Sequence, residues 1–133
     1  MSLIWRVIWA SPWSLFGILV GVVTLLCGTG HVRRSGRVIE FFGRGPTWFL
    51  RFFPFVAGAS AVTFGHVVLA RTAADMDACR EHELVHVRQY ERWGPLFVPA
   101  YLLCWLVQML RGKSGYWDNP FEREAYGQSE CDA

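Results

Sequence analysis

The stretch TAADMDACREHELVHVRQYERWGP, residues 72–95, decides how the rest of this chain is read. It carries the punctuation of a single helix. Thr72 and Asp75 have capping-box spacing, with Asp where Glu or Gln is usual. Asp75 and Asp77 put negative charge in the first turn, and Arg88 and Arg92 put positive charge in the last turns, as the helix dipole favours. Gly94-Pro95 is a stop signal. His82 and His86 then fall mid-helix, where the backbone is most rigid. Four residues apart, their imidazoles share one face about 6 Å apart along the axis, as two ligands of one metal ion require. Glu83 is rotated about 100° from His82, so its carboxylate can reach beside such an ion rather than onto it. That is where a general base must stand to take a proton from water.

Two histidines do not complete a catalytic zinc site; a third protein ligand is needed, with the fourth position open. The best candidates are Glu122 and Glu124 in NPFEREAY, residues 119–126. Asn119 reads as the cap of a last helix and Pro120 as its first residue. Glu122 lies one turn from Tyr126, so one face offers a carboxylate and a phenol. Each glutamate also has a plain reading. Glu122 stands where a carboxylate serves capping alone, and Glu124 suits a solvated face. His66 reads as a packed or hydrogen-bonded histidine more readily than as a fourth ligand, and Gln89 as a plain polar helix residue more readily than as an outer partner of a metal ligand. With four histidines in the chain, HExxH arises by accident on the order of once in 200 such sequences.

The 133 residues make one domain, with 53% hydrophobic and 16% aromatic residues. The net charge of +2 is small, and the basic residues are scattered without a stripe on any predicted helix, so no nucleic-acid partner is expected. No two of Cys27, Cys79, Cys104 and Cys131 form a CxxC pair, which argues against a cysteine zinc site. The even count allows two disulfides, but the apolar runs around Cys27 and Cys104 favour buried free thiols over that alternative.

Residues 7–30 carry no charge, and about 20 apolar residues suffice to cross a bilayer. Trp5, Trp9 and Trp13 cluster at one end as interfacial aromatics do. Pro12 reads as lying near the helix start, with Ser11 as cap. Arg6 precedes the run and Arg33, Arg34 and Arg37 follow it, which puts the remainder in the cytoplasm. The chain thus divides into a transmembrane anchor, residues 1–30, and a metal-site domain, residues 31–133. The rival is a cleaved signal peptide, for which no small-x-small cleavage site is evident. Residues 94–110 form another apolar stretch that suits a short span, a re-entrant helix or a core helix.

Residues 31–36 read as a polar turn, residues 37–42 as a strand, residues 47–53 as a short helix or interfacial segment, and residues 61–69 (AVTFGHVVL) as the best strand in the chain. The expected class is α+β, mainly helical with a small sheet.

The run His82-Glu83-Leu84-Val85-His86-Val87-Arg88-Gln89-Tyr90, followed by Glu122-Arg123-Glu124-Ala125, resembles the zincin metallopeptidases. It is most similar to the small gluzincin-type group, in a membrane-associated bacterial form. The resemblance spans roughly residues 61–126. It implies a zincin-like fold with a small sheet beside the active helix, zinc on His82, His86 and a glutamate of a later helix, Glu83 as catalytic base, and peptide-bond hydrolysis. In such families the distal glutamate often stands three residues before a small residue, as Glu122 does before Ala125, which favours Glu122 over Glu124. The chain is much shorter than a two-lobed peptidase, and only two strands are legible.

The leading expectation is a membrane-associated zinc (Zn2+) metallopeptidase acting on a peptide or protein, with membrane lipid as its other partner. The strand over residues 62–69 would hold an extended peptide by edge pairing. The alternatives are a non-catalytic membrane protein with a closed structural metal site, and an assembly factor with no metal.

Overall fold

The computed structural model describes residues 3–52 and 60–128. The chain is α+β and mostly helical, as expected, with one mixed sheet of four strands. Helix α1 (Leu3–Leu26) is followed by strands β1 (His31–Ser35) and β2 (Val38–Phe42) and helix α2 (Arg44–Phe52). Strands β3 (Ala61–Phe64) and β4 (Val67–Ala70) lead into helix α3 (Ala73–Trp93). A 3₁₀ turn at Gly94–Leu96 connects to α4 (Phe97–Leu110), and α5 (Pro120–Gln128) follows. The sheet order is β1-β2-β4-β3, with β2 and β4 parallel and the outer pairs antiparallel.

Residues 61–69 are not one strand. Gly65 and His66 break the run into a hairpin, with Phe64 opposite Val67. Gly65 adopts φ +62 and among the described residues no non-glycine residue has positive φ, so the turn is the two-residue type with glycine first. The apolar sequence hides this turn because β3 and β4 are buried on both faces, and such strands lose the alternation that marks a half-exposed strand. His31–Ser35 likewise is β1 rather than a turn; its largely exposed side chains mask a strand that pairs along its whole length with β2.

The two faces of the sheet divide the core. Phe41, Val62, Phe64, Val67 and Leu69 meet α1 and α2, with Leu50 of α2 among them. Val38, Ala61, Val68 and Ala70 meet Met76, Cys79 and Val87 of α3. Buried carboxylates strengthen this second layer. Glu40 accepts two bonds from Arg80 (2.9 and 3.0 Å) and one from Arg33 (3.0 Å). Glu91 is gripped by both arms of Arg37 (2.7 and 2.9 Å).

Helix α1 begins at Leu3, well before Pro12, which sits inside it. Proline supplies no N–H to the Ile8 carbonyl, and the Ser11 hydroxyl donates to that carbonyl instead (2.7 Å), so the helix runs through. Its small residues Ala10, Ser14, Gly17, Gly21 and Thr24 recur at helical spacing and let it lie against the sheet. A Cβ at Gly17 would stand 2.8 Å from that of Val67, and one at Gly21 would stand 2.5 Å from the Phe41 ring. The opposite face exposes Ile4, Ile8, Leu15, Leu19 and Leu26. By length and composition α1 could cross a membrane as an anchor, or serve as a signal sequence; the continuous helical run ending in α4 meets the same criterion.

The cysteines depart from the expectation of buried free thiols. Cys27 is free but exposed, Cys104 is free and half-buried, and Cys79 is buried and disulfide-bonded. Cys131 lies outside the described residues.

Candidate metal centre

Helix α3 is fixed at both ends. The Thr72 side chain accepts from the Asp75 N–H (3.0 Å), and the Gly94 N–H returns to the Tyr90 carbonyl. Its mid-section carries His82 and His86 into the interior beside α5. That second helix is placed by Asn119, which is fully buried. The Asn119 Oδ1 accepts from the Phe121 N–H (3.0 Å), capping α5, while its Nδ2 donates to the Tyr101 carbonyl of α4 (3.1 Å). One side chain thus sets both the start of α5 and its position against α4, and Glu122 follows in the first turn.

The structure brings His82, His86 and Glu122 together. Glu122 Oε1 lies 2.6 Å from His86 Nε2 and 3.2 Å from His82 Nε2, and the two Nε2 atoms are 3.2 Å apart. All three side chains are buried. Four donors placed tetrahedrally at about 2.0–2.1 Å from an ion stand about 3.3 Å from one another. The observed spacings are near that value and slightly tighter, and the donor set is two imidazoles and a carboxylate. The residues therefore fit a divalent ion; they do not specify which one.

The surrounding bonds suit ligation. His86 Nδ1 lies 2.8 Å from Gln89 Oε1, which can only accept, so the ring proton sits on Nδ1 and the Nε2 lone pair faces the cluster when the ring is neutral. Gln89 Nε2 in turn donates to the Phe121 carbonyl (3.0 Å) and to Glu124 (3.1 Å). Tyr101 donates its hydroxyl to the other oxygen of Glu122 (3.0 Å). His82 has no such tether; its Nδ1 is buried without a hydrogen-bond partner, and its ring packs against Tyr126 at 4.3 Å. Without an ion, protons take its place. Burial pulls the His86 imidazolium down, but the Glu122 charge and hydrogen bond, helped by Glu83 and Gln89, push it up to about 9. Burial pushes Glu122 up, but His86 and His82 hold it down at about 2.

Glu83 is buried, and its Oε2 accepts from the Thr63 hydroxyl at 2.6 Å. It faces the same cavity, of about 260 Å³, that reaches His82, His86 and Glu122. Glu124 lies elsewhere, bonded to Arg92 (2.7 Å) and Gln89. His66 is paired with Glu91 (2.8 Å) and is not in the cluster. Among the described residues no fourth His, Cys, Asp or Glu joins the group.

Thr63 and Tyr101 carry supporting roles at the site that the sequence reading does not assign, and Asn119, read there as a cap, also bonds to Tyr101. A polar Thr inside a doubly buried strand is the one signal for Thr63 that pattern offers. Tyr101 lies one turn after Phe97 on a helix whose exposed side is aliphatic, a signal visible only once the buried face is known.

No family model, no curated protein and no solved structure matches this chain. The candidate centre stands on its own geometry.

Proposed function

We propose that this chain is a membrane-associated, zincin-like metallopeptidase that hydrolyses peptide bonds. The grouping of His82, His86 and Glu122 about one point, with Glu83 on the same cavity, carries the reading. A divalent ion held by those three, zinc by default of the ligand set, would act as a Lewis acid that acidifies water and polarises a carbonyl. Glu83 would accept the proton from the attacking water and deliver it to the departing amine nitrogen. The Thr63 hydroxyl holds Glu83 Oε2 and so turns the carboxylate toward the cavity. Gln89 and Tyr101 orient His86 and Glu122. Residues 1–30 would anchor residues 31–133 to lipid, with Arg33, Arg34 and Arg37 favouring the cytoplasmic side. The substrate would be a peptide or protein.

The complete burial of the three ligands also suits a structural ion that ties α5 to α3 in a non-catalytic membrane protein. Glu83→Gln separates the two readings. For a peptidase, zinc stoichiometry stays unchanged while kcat for a cleaved peptide falls by about 100-fold or more. Unchanged turnover ends the peptidase reading. Stoichiometric zinc in a wild-type protein that cleaves no peptide favours the structural one.

A further inference from the structure

The cavity beside the metal ligands is more than a solvent gap. Its walls include Trp13 and Phe16 of α1, Val62 and Phe64 of β3, and Val98 and Leu102 of α4. Among the described residues its lining has no Lys or Arg, and the charged or titratable groups there are His82, His86, Glu83 and Glu122, with Tyr90, Tyr101 and Tyr116. An apolar cavity of about 150 Å³ already admits benzene. A cavity of about 260 Å³ therefore has room for a leucine- or phenylalanine-sized side chain.

All four residues of β3 line this space, and β3 is the edge of the sheet. In a two-residue hairpin the residues flanking the turn form a hydrogen-bonded pair, and alternate residues point their backbone groups away. Phe64 and Val62 thus bond toward β4, and Ser60 continues the pattern by accepting from the Arg71 N–H (3.1 Å). Ala61 and Thr63 present their backbone groups outward. The Thr63 carbonyl confirms this direction, since it accepts from the Tyr90 hydroxyl (3.1 Å). Among the described residues the outward groups of Ala61 and the Thr63 N–H have no backbone partner and are placed to pair with an added strand.

The cavity lies between two helices with exposed aliphatic faces, Leu15 and Leu19 on α1 and Leu103, Leu106 and Leu110 on α4. The bond from Trp13 Nε1 to the Pro95 carbonyl (3.1 Å) fixes α1 at the entrance to α4.

We propose that Phe16 of the N-terminal helix and Leu102 of α4 form the specificity pocket for a bulky apolar side chain of an extended polypeptide that pairs with the outward backbone groups of Ala61 and the N–H of Thr63 at the edge of β3. The substrate is thereby an apolar segment, and α1 is a wall of its binding site as well as an anchor. This rests on the peptidase reading only for what happens after binding.

The test measures binding to the zinc-loaded full chain in detergent by calorimetry, using three hydroxamates as probes. One carries a leucine side chain in a capped dipeptide, one replaces that leucine with glycine, and one is lauroyl hydroxamate. The leucyl probe should bind roughly 10- to 100-fold more tightly than the glycyl probe. Leu102→Trp, which fills the pocket, should reduce that ratio below about 3-fold with zinc content unchanged. If Leu102→Trp does not fold, Phe16→Ala enlarges the same pocket and should shift preference toward a tryptophan-sized side chain by roughly 10-fold. Equal binding of leucyl and glycyl probes overturns the assignment, even if Glu83→Gln upholds peptide hydrolysis. A lauroyl probe that matches the leucyl probe points to an acyl chain as occupant and overturns it too. A leucyl preference in a protein that cleaves no peptide upholds the pocket and defeats the peptidase reading alone.

Discussion

Two buried glutamates, Glu91 of α3 and Glu122 of α5, meet histidines, and they differ in the cation that accompanies them. Glu91 meets His66 at 2.8 Å and is also held by both arms of Arg37. Glu122 meets His86 at 2.6 Å and His82 at 3.2 Å, and no Lys or Arg forms an ion pair with it among the described residues. A buried carboxylate is tolerated only with its charge compensated. At Glu91 a permanent guanidinium does this, and the network joins the sheet to α3. At Glu122 the compensation comes from two groups that can each be neutral, so the place is left for a proton or a metal ion. The same pair of residue types thus makes a structural clamp in one region and a candidate ligand site in the other.

Neutralising each glutamate in turn should separate the two regions most strongly. Glu122→Gln should weaken zinc binding by more than about 100-fold, since it removes a ligand rather than an outer partner. Glu91→Gln should leave zinc affinity within error, as read by competition with a chromogenic chelator. Equal losses in the two variants would show that the regions are not distinct. A smaller effect is expected at Gln89. Gln89→Ala releases the His86 ring and should cost about 10- to 100-fold in zinc affinity, and retained affinity would mean that the ring is held by packing alone. Smaller again is the stability change in Glu91→Gln, about 1–2 kcal/mol by urea unfolding, because Arg37 is partly solvated and keeps a neutral acceptor.

The last distinction is a pH dependence of the metal-free protein. His86 is raised from 6.5 to about 9, so its contribution to stability is complete below 6.5 and is lost as pH rises through about 9. Glu122 is lowered from 4.5 to about 2, so its contribution is complete above 4.5 and is lost as pH falls through about 2. Both are complete between 4.5 and 6.5. Burial pushes Glu91 up, but its bonds to Arg37 and His66 hold it below the usual carboxylate value. An alkaline loss of metal-free stability should therefore disappear in Glu122→Gln and persist in Glu91→Gln. Adding zinc near pH 6 should release protons, measurable as a buffer-dependent heat.

Much of the candidate centre is legible along the chain because it is built from helix periodicity. His82, Glu83 and His86 follow from spacing, and Thr72 and Gly94 bound their helix as residue chemistry dictates. The sheet is harder to read. Gly65-His66 is a turn inside a run of apolar residues, and β1 is a strand composed of polar ones, because burial on both faces or exposure on both removes the period-two signal. Residues 53–59, between α2 and β3, lie outside the described residues.

By itself the sequence determined what depends on neighbours a turn apart: the imidazole pair, the adjacent carboxylate, and the caps at Thr72, Gly94 and Asn119, but not the start of the first helix. The tertiary structure decided which acidic residue of α5 meets the imidazoles. Glu122 and Glu124 are about 200° apart around that helix, so one must turn inward and the other outward. The inward face is chosen by the Asn119 bond to Tyr101 and by the Gln89 and Arg92 bonds that draw Glu124 away. Those contacts join residues 18 to 35 positions apart, and they form only when packing brings the segments together.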